Sequence, residues 1–313
     1  MKRILVFAIF IATMVSAMAQ TKPTTYCFGE GEEPLYFDHY RAEGEGKHPC
    51  LIFAFGGGFS HGNRADARYM KYFDMLLAQG FDVVSVDYRL GMKFTVDAPQ
   101  KIGPLKGAQL MYRSVNYAAE DVLRATKYII DNADKLGIDT ERIVTSGSSA
   151  GAIAVLQAEN HVVNRSRYAK ILPKKFNYAG VIAFAGAIYS VLSKPKWEKA
   201  PCPVMLFHGN ADRNVPYRKA TIMAIGFYGS DFIADQLHKK GGSYYFHSAH
   251  YRDHALALTP LNDNHEEIIS VLRKCVLGGE KMQHTNEYVA EGVVPCQTEF
   301  TVQEYLNSNY DKK

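Results

Sequence analysis

Between Leu51 and Cys275 the sequence alternates short apolar runs with longer stretches whose apolar residues recur every three or four positions. The runs Leu51 to Phe55, Val83 to Asp87, Ile143 to Ser146, Tyr178 to Phe184, Val204 to His208 and Tyr244 to His247 are largely apolar and show no regular polar alternation, the pattern of strands buried between two helix layers. The stretches between them read as helices: Tyr69 to Ala78 before Gly80, Tyr117 to Ala133 before Gly137, Ala152 to Glu159, Lys219 to His238 and Glu266 to Cys275. Strands separated by helices predict an α/β fold with a mostly parallel sheet, because parallel neighbours need a long crossover. No repeat or low-complexity linker breaks the alternation, so residues 20–277 read as one domain and 278–313, which lack a clear period, as a C-terminal tail on its surface. The connection Leu90 to Gln109 holds Gly91, Pro99, Gly103, Pro104 and Gly107, and long connections of this kind often border binding sites.

The chain starts with Lys2-Arg3, an apolar stretch from Ile4 through Val15 and a small-residue ending at Ala17-Met18-Ala19. That order predicts a signal peptide over residues 1–19, cleaved after Ala19, and a secreted or periplasmic mature protein. The stretch is shorter than the roughly 20 apolar residues of a membrane span, and no later segment is longer, so no membrane partner is expected. The formal charge of +4 falls to +2 without Lys2 and Arg3, too weak a field to hold nucleic acid. Five cysteines, Cys27, Cys50, Cys202, Cys275 and Cys296, are an odd number for an oxidising compartment, so at least one is expected free or paired between molecules. A Cys275–Cys296 bridge would tie the last helix to the tail. No Cys-x-x-Cys spacing of a zinc or redox site occurs.

Gly147-Ser148-Ser149-Ala150-Gly151 has the G-x-S-x-G spacing, directly between a predicted strand and a predicted helix. Small flanking residues allow strand and helix to approach closely there, and only Ser149 stands at the nucleophile position, although a plain small-residue turn has the same composition. Gly56-Gly57-Gly58 follows the strand Leu51 to Phe55, where bare backbone N–H groups can face an anion, or simply make a flexible turn. A serine hydroxyl needs a base, and the base a carboxylate. Asp212 lies just beyond the strand Val204 to His208, a position that an Asx turn would also explain. His247, His250, His254 and His265 are the candidate bases. His254 follows a strand and precedes a helix, and His250 ranks second. His250 and His254 as an i, i+4 metal pair lack the glutamate of H-E-x-x-H, so no metal is expected.

With Gly56-Gly57-Gly58-Phe59, Asp87-Tyr88-Arg89, Gly147 to Gly151, His208-Gly209-Asn210-Ala211-Asp212 and Asp253-His254 in this order, the chain resembles the α/β-hydrolase superfamily from about residue 49 to 276. More narrowly it is similar to secreted bacterial carboxylesterases of the acetyl esterase/lipase type. The resemblance implies a mostly parallel central sheet with helices on both faces and a serine esterase that works without a cofactor. Ser149 would attack, His254 shuttle the proton and Asp212 orient His254, while the N–H groups of Gly57, Gly58 and Ala150 hold the oxyanion. It also implies a small-molecule or carbohydrate-linked ester as substrate, acetyl and feruloyl esters of polysaccharide included, and a structural role for Asp87-Tyr88-Arg89. Two positions depart from the pattern: Phe55 stands where many relatives have His, removing a brace of the oxyanion loop, and Asp253 replaces a Gly beside the candidate base. The alternatives are a peptidase resembling the prolyl oligopeptidase catalytic domain, though without the propeller that usually precedes it, and a non-catalytic binding protein on the same fold. Asn164-Arg165-Ser166 matches the glycosylation sequon, to which no function is attached.

Overall fold

In a computed structural model, residues 22–31, 33–93, 104–191 and 193–310 are described. The leader 1–19 and residues 94–103 of the connection Leu90 to Gln109 lie outside them. The first strands are β1 (Thr24–Gly29), β2 (Leu35–Tyr40), β3 (His48–Ala54), β4 (Asp82–Val86), β5 (Ile138–Ser148) and β6 (Gly180–Phe184). They are followed by β7 (Ala187–Ser190), β8 (Val204–Gly209), β9 (Lys219–Ile222), β10 (Ile225–Gly229), β11 (Tyr244–Ala249) and β12 (Gln283–Tyr288). The helices used below are α1 (Met70–Ala78), α2 (Pro104–Asp131), α3 (Ala150–Val163), α4 (Ser230–Lys239), α5 (His265–Val271) and α6 (Val302–Tyr310).

Nine strands form one sheet in the order β1-β2-β4-β3-β5-β6-β8-β11-β12. β1, β2 and β4 pair antiparallel, and every other neighbour is parallel. The six runs expected as strands are all present, and Leu51, Ile52, Phe53 and Ala54 are buried on both faces. The route through α1 steps from β3 to β4 in one direction, whereas the route through α2 returns past β3 to β5. Right-handed crossovers then place α1 and α2 on opposite faces. α3 packs along α2, and the turn Pro260–Asp263 before α5 packs on α1, so helices cover both faces as expected. At the amino ends of the parallel strands, Asp82 of β4 accepts from Ala42 N–H at 2.9 Å and lies 2.7 Å from His39 Nε2 and 2.8 Å from His48 Nδ1, which pins β2, β4 and β3 together.

Three expectations are corrected. Lys219 to His238 is not one helix: it forms the hairpin β9–β10 and then α4. The hairpin turns at Met223, φ 57°, and Ala224, between the paired Ile222 and Ile225, and a second sheet β7-β10-β9 uses the Ile, Thr, Phe and Tyr residues that suit strands. The tail supplies β12, a ninth strand parallel to β11, and α6. Cys275 and Cys296 do not pair. Cys275 is buried near Ser243, before β11, and the Cys296 thiol is near the Tyr251 carbonyl, just after it. A six-residue strand, about 20 Å long, separates the two positions.

Candidate active site

β5 runs into α3 through Ser149, whose backbone sits at φ 52°, ψ −114°. A non-glycine residue rarely occupies that region, and here the surroundings enforce it. Ser149 N–H donates to Phe184 O of β6 at 2.8 Å, and the helix starts at once, with Ile153 N–H donating to Ser149 O at 3.0 Å. Gly151 lets α3 press against β3, since a Cβ there would lie 2.0 Å from Ala54 O. The neighbouring Ser148 is buried and donates to Ala257 O at 2.7 Å, which anchors the short helix His254–Ala257 beneath the elbow.

Ser149 Oγ lies 2.8 Å from His254 Nε2, and His254 Nδ1 lies 2.7 Å from Asp212 Oδ2. All three sequence-derived residues are therefore in contact. Asp212 is fully buried; Oδ1 accepts from the N–H groups of Asn214 at 2.8 Å and Val215 at 2.9 Å. Burial opposes its charge, but hydrogen bonds from His208 and His254 outweigh burial and hold the carboxyl well below the usual range. An ionised Asp212 keeps the proton of His254 on Nδ1, leaving Nε2 to accept the Ser149 proton. Asp253 caps the helix His254–Ala257, accepting from Ala255 N–H at 3.0 Å, so its carboxylate serves the turn that presents His254. The second-ranked base, His250, sits instead with Nε2 2.7 Å from Glu287 Oε2.

Gly57 has φ 138°, and a Cβ there would lie 2.0 Å from His61 O, so only glycine closes this loop. Its carbonyl accepts from the N–H groups of Ser60 and His61, whereas the N–H groups of Gly57 and Gly58 donate to no backbone acceptor among the described residues. Ala150 opens α3, where a helix leaves its first N–H groups without internal partners. These are the three expected oxyanion donors. The brace lost with Phe55 is replaced. Tyr88 stacks on Phe55 at 4.4 Å and donates to its carbonyl at 2.7 Å, while the Tyr69 hydroxyl accepts from Gly56 N–H at 3.0 Å. The flanking charges bind elsewhere, Asp87 to Arg64 and Arg89 to Asp121 and Glu120. Within Asp87-Tyr88-Arg89 it is thus Tyr88 that supports this loop.

The pattern of the family described as BD-FAE matches residues 37–201, more than half of the chain. The chain belongs to the BD-FAE family. Among curated relatives, it is 34% identical over 133 residues to fumonisin B1 esterase of Sphingopyxis macrogoltabida, and 31% identical over 131 residues to secreted lipase 1 of Botryotinia fuckeliana. Those stretches are 41% and 40% of this chain but 23% and 21% of the relatives, so the likeness spans less than a quarter of their length. A thermophilic esterase from Thermogutta terrifontis superimposes with a TM-score of 0.58 at 17% identity, over 83% of this chain and 93% of that one. An esterase from Pyrobaculum calidifontis gives 0.55 at 17% identity, over 83% and 87%. These neighbours have the α/β-hydrolase fold of this chain.

The BD-FAE match contains Ser149 and the glycine loop Gly56 to Phe59 and stops before Asp212 and His254. Within this BD-FAE member, His208 opens the motif His208 to Asp212 read from the sequence, but its role was missed: it lies 3.3 Å from Asp212 Oδ2 and 2.8 Å from Ser230 Oγ. Nothing in the motif tells that its first residue contacts its last. Tyr69 as a loop brace carried no sequence signal at all. The Asn164 amide is already engaged with Lys196 O and Glu198 N–H.

Proposed function

We propose that the chain is an exported serine carboxylesterase that cleaves esters through an acyl-enzyme. The observation that carries this reading is the continuous contact Ser149–His254–Asp212 on a strained strand-to-helix turn. Ser149 Oγ attacks the ester carbonyl as its proton passes to His254 Nε2, and Asp212 stabilises the imidazolium. The N–H groups of Gly57, Gly58 and Ala150 stabilise the oxyanion, each worth on the order of 3 kcal/mol. His254 then returns the proton to the departing alcohol, and water, deprotonated by the same imidazole, releases the acid and restores Ser149. The relatives named as esterases and lipases support ester over amide substrates. The Thermogutta esterase bound to propionate or butyrate supports a short acyl group, and acetyl or feruloyl esters of polysaccharide are the proposed natural substrates. Export rests on the leader 1–19, cleaved after Ala19.

Hydrolysis of p-nitrophenyl esters from acetate to octanoate by wild type and Ser149→Ala tests this reading. It predicts turnover that falls with acyl length and disappears in the variant. Equal rates for both proteins, or no turnover of any ester, would overturn it.

A further inference from the structure

The segment that follows the last helix of the main alternation touches both loops of the acid–base pair. In β12, Glu287 Oε2 accepts from Ser248 Oγ at 2.7 Å and lies 2.7 Å from His250 Nε2. His250 N–H donates to Tyr288 O at 2.8 Å. His250 Nδ1 in turn lies 3.3 Å from Asn210 Nδ2, and Asn210 Oδ1 accepts from Tyr251 N–H at 2.6 Å. Glu287 donates nothing when ionised, so His250 carries its proton on Nε2 and accepts from Asn210 on Nδ1. A chain Glu287–His250–Asn210 therefore runs from the tail to a residue two positions before Asp212.

Beyond β12 the chain returns to the other side of the same loop. Phe300 lies under the Arg213 guanidinium at 4.8 Å, and Asn309 Nδ2 donates to Asn214 O at 3.0 Å. Tyr305 of α6 is buried, and its hydroxyl lies close enough to Asp212 and the Tyr217 backbone to feel both. Contacts from residues 287–309 thus fall on residues 213 and 214 beside Asp212 and on 248 and 250 before His254, and His250 passes them on to Asn210. Inside this frame the acid and base loops are tied to each other by Ala211 N–H donating to Arg252 O at 3.0 Å.

We infer that residues 283–309 are a positioning element of the catalytic centre, with Glu287 holding the base loop and Tyr305 and Asn309 holding the acid loop. The inference rests on the esterase reading above. None of these residues touches the reacting atoms; they act through the placement of Asp212 and His254, where a shift of about 1 Å costs up to about 10²-fold in rate.

The test uses the full chain carrying Tyr305→Phe, Glu287→Ala or Glu287→Gln, with Glu291→Ala as an exposed tail control and Ser149→Ala alongside. Burst titration with a p-nitrophenyl ester counts competent sites, so that kcat is expressed per titrated site, and KM and melting temperature are measured on the same samples. Tyr305→Phe and Glu287→Ala are each expected to lower kcat per site about tenfold with KM within about twofold. Glu287→Gln, which keeps an acceptor for His250, is expected to retain most of the rate, and Glu291→Ala all of it. An unchanged kcat per site in Tyr305→Phe and Glu287→Ala, with only the number of sites or the melting temperature reduced, would make the tail a purely structural strap and overturn the inference. Hydrolysis that survives in Ser149→Ala would overturn the esterase reading itself, a result separable from the first.

Discussion

Ser149 combines a backbone at φ 52° with a hydroxyl 2.8 Å from an imidazole, and its neighbour Ser148 is spent on holding the short helix that carries that imidazole. Of the two adjacent serines, Ser149 meets the imidazole and Ser148 holds the helix that presents it. Ser149, Asp212 and His254 were legible in the sequence because the motif and the strand ends constrain where such groups can stand. Asp253 was legible as a charge but not as a cap, since capping depends on a turn whose geometry only the folded backbone defines. Asp212→Asn is expected to lower kcat by roughly 10⁴-fold with little change in folding, because an amide lets His254 present the wrong tautomer to Ser149. Steady-state kinetics beside a thermal melt checks this; a loss below about tenfold would show that Asp212 does not orient the base.

The central strands were readable because burial on both faces leaves them largely apolar, as in Leu51 to Ala54. β12, Gln283–Tyr288, is exposed along almost its whole length and so carries no pattern at all. β9 and β10 were misread because apolar residues recur at helical spacing from Lys219 to His238, and only Gly226 and Gly229 mark the break. In α3, Glu159 is fully buried; Oε1 accepts from Cys202 N–H at 3.0 Å and Oε2 has no hydrogen-bond partner among the described residues. Burial pushes its carboxyl from 4.5 up to about 8, against the opposing pull of the Cys202 N–H. The folded state therefore keeps a proton that the unfolded chain releases from about pH 4.5 upward, so this group's contribution to stability falls as pH rises from about 4.5 to about 8. Glu159→Gln, which is uncharged and still accepts from Cys202, is expected to remove that slope. Denaturant melts at pH 5 and pH 8 should show the variant gaining on wild type at the higher pH. An equal difference at both would contradict a protonated Glu159.

Across the whole molecule, the parallel strands deliver Ser149, Asp212 and His254 to one edge of the sheet, while Asp82 with His39 and His48 pins the other. No disulfide contributes among the described residues: Cys50, Cys202 and Cys275 are buried and Cys27 and Cys296 exposed. Thiol titration is expected to find two reactive groups in the native protein and five after denaturation, with a melting temperature indifferent to reductant. Fewer than five thiols in the denatured chain would contradict this arrangement. The pairing expected from the sequence failed because the distance between Cys275 and Cys296 is set by a strand that lies between them in space, which residue spacing does not reveal.

The esterase reading makes Ser149 a nucleophile activated by His254. Intact-protein and peptide mass spectrometry after exposure to a fluorophosphonate tests it most directly. A single adduct is expected on the peptide containing Ser149, formed far more slowly in His254→Ala and absent in Ser149→Ala. An adduct on another residue, or wild type left unlabelled while correctly folded, would contradict it.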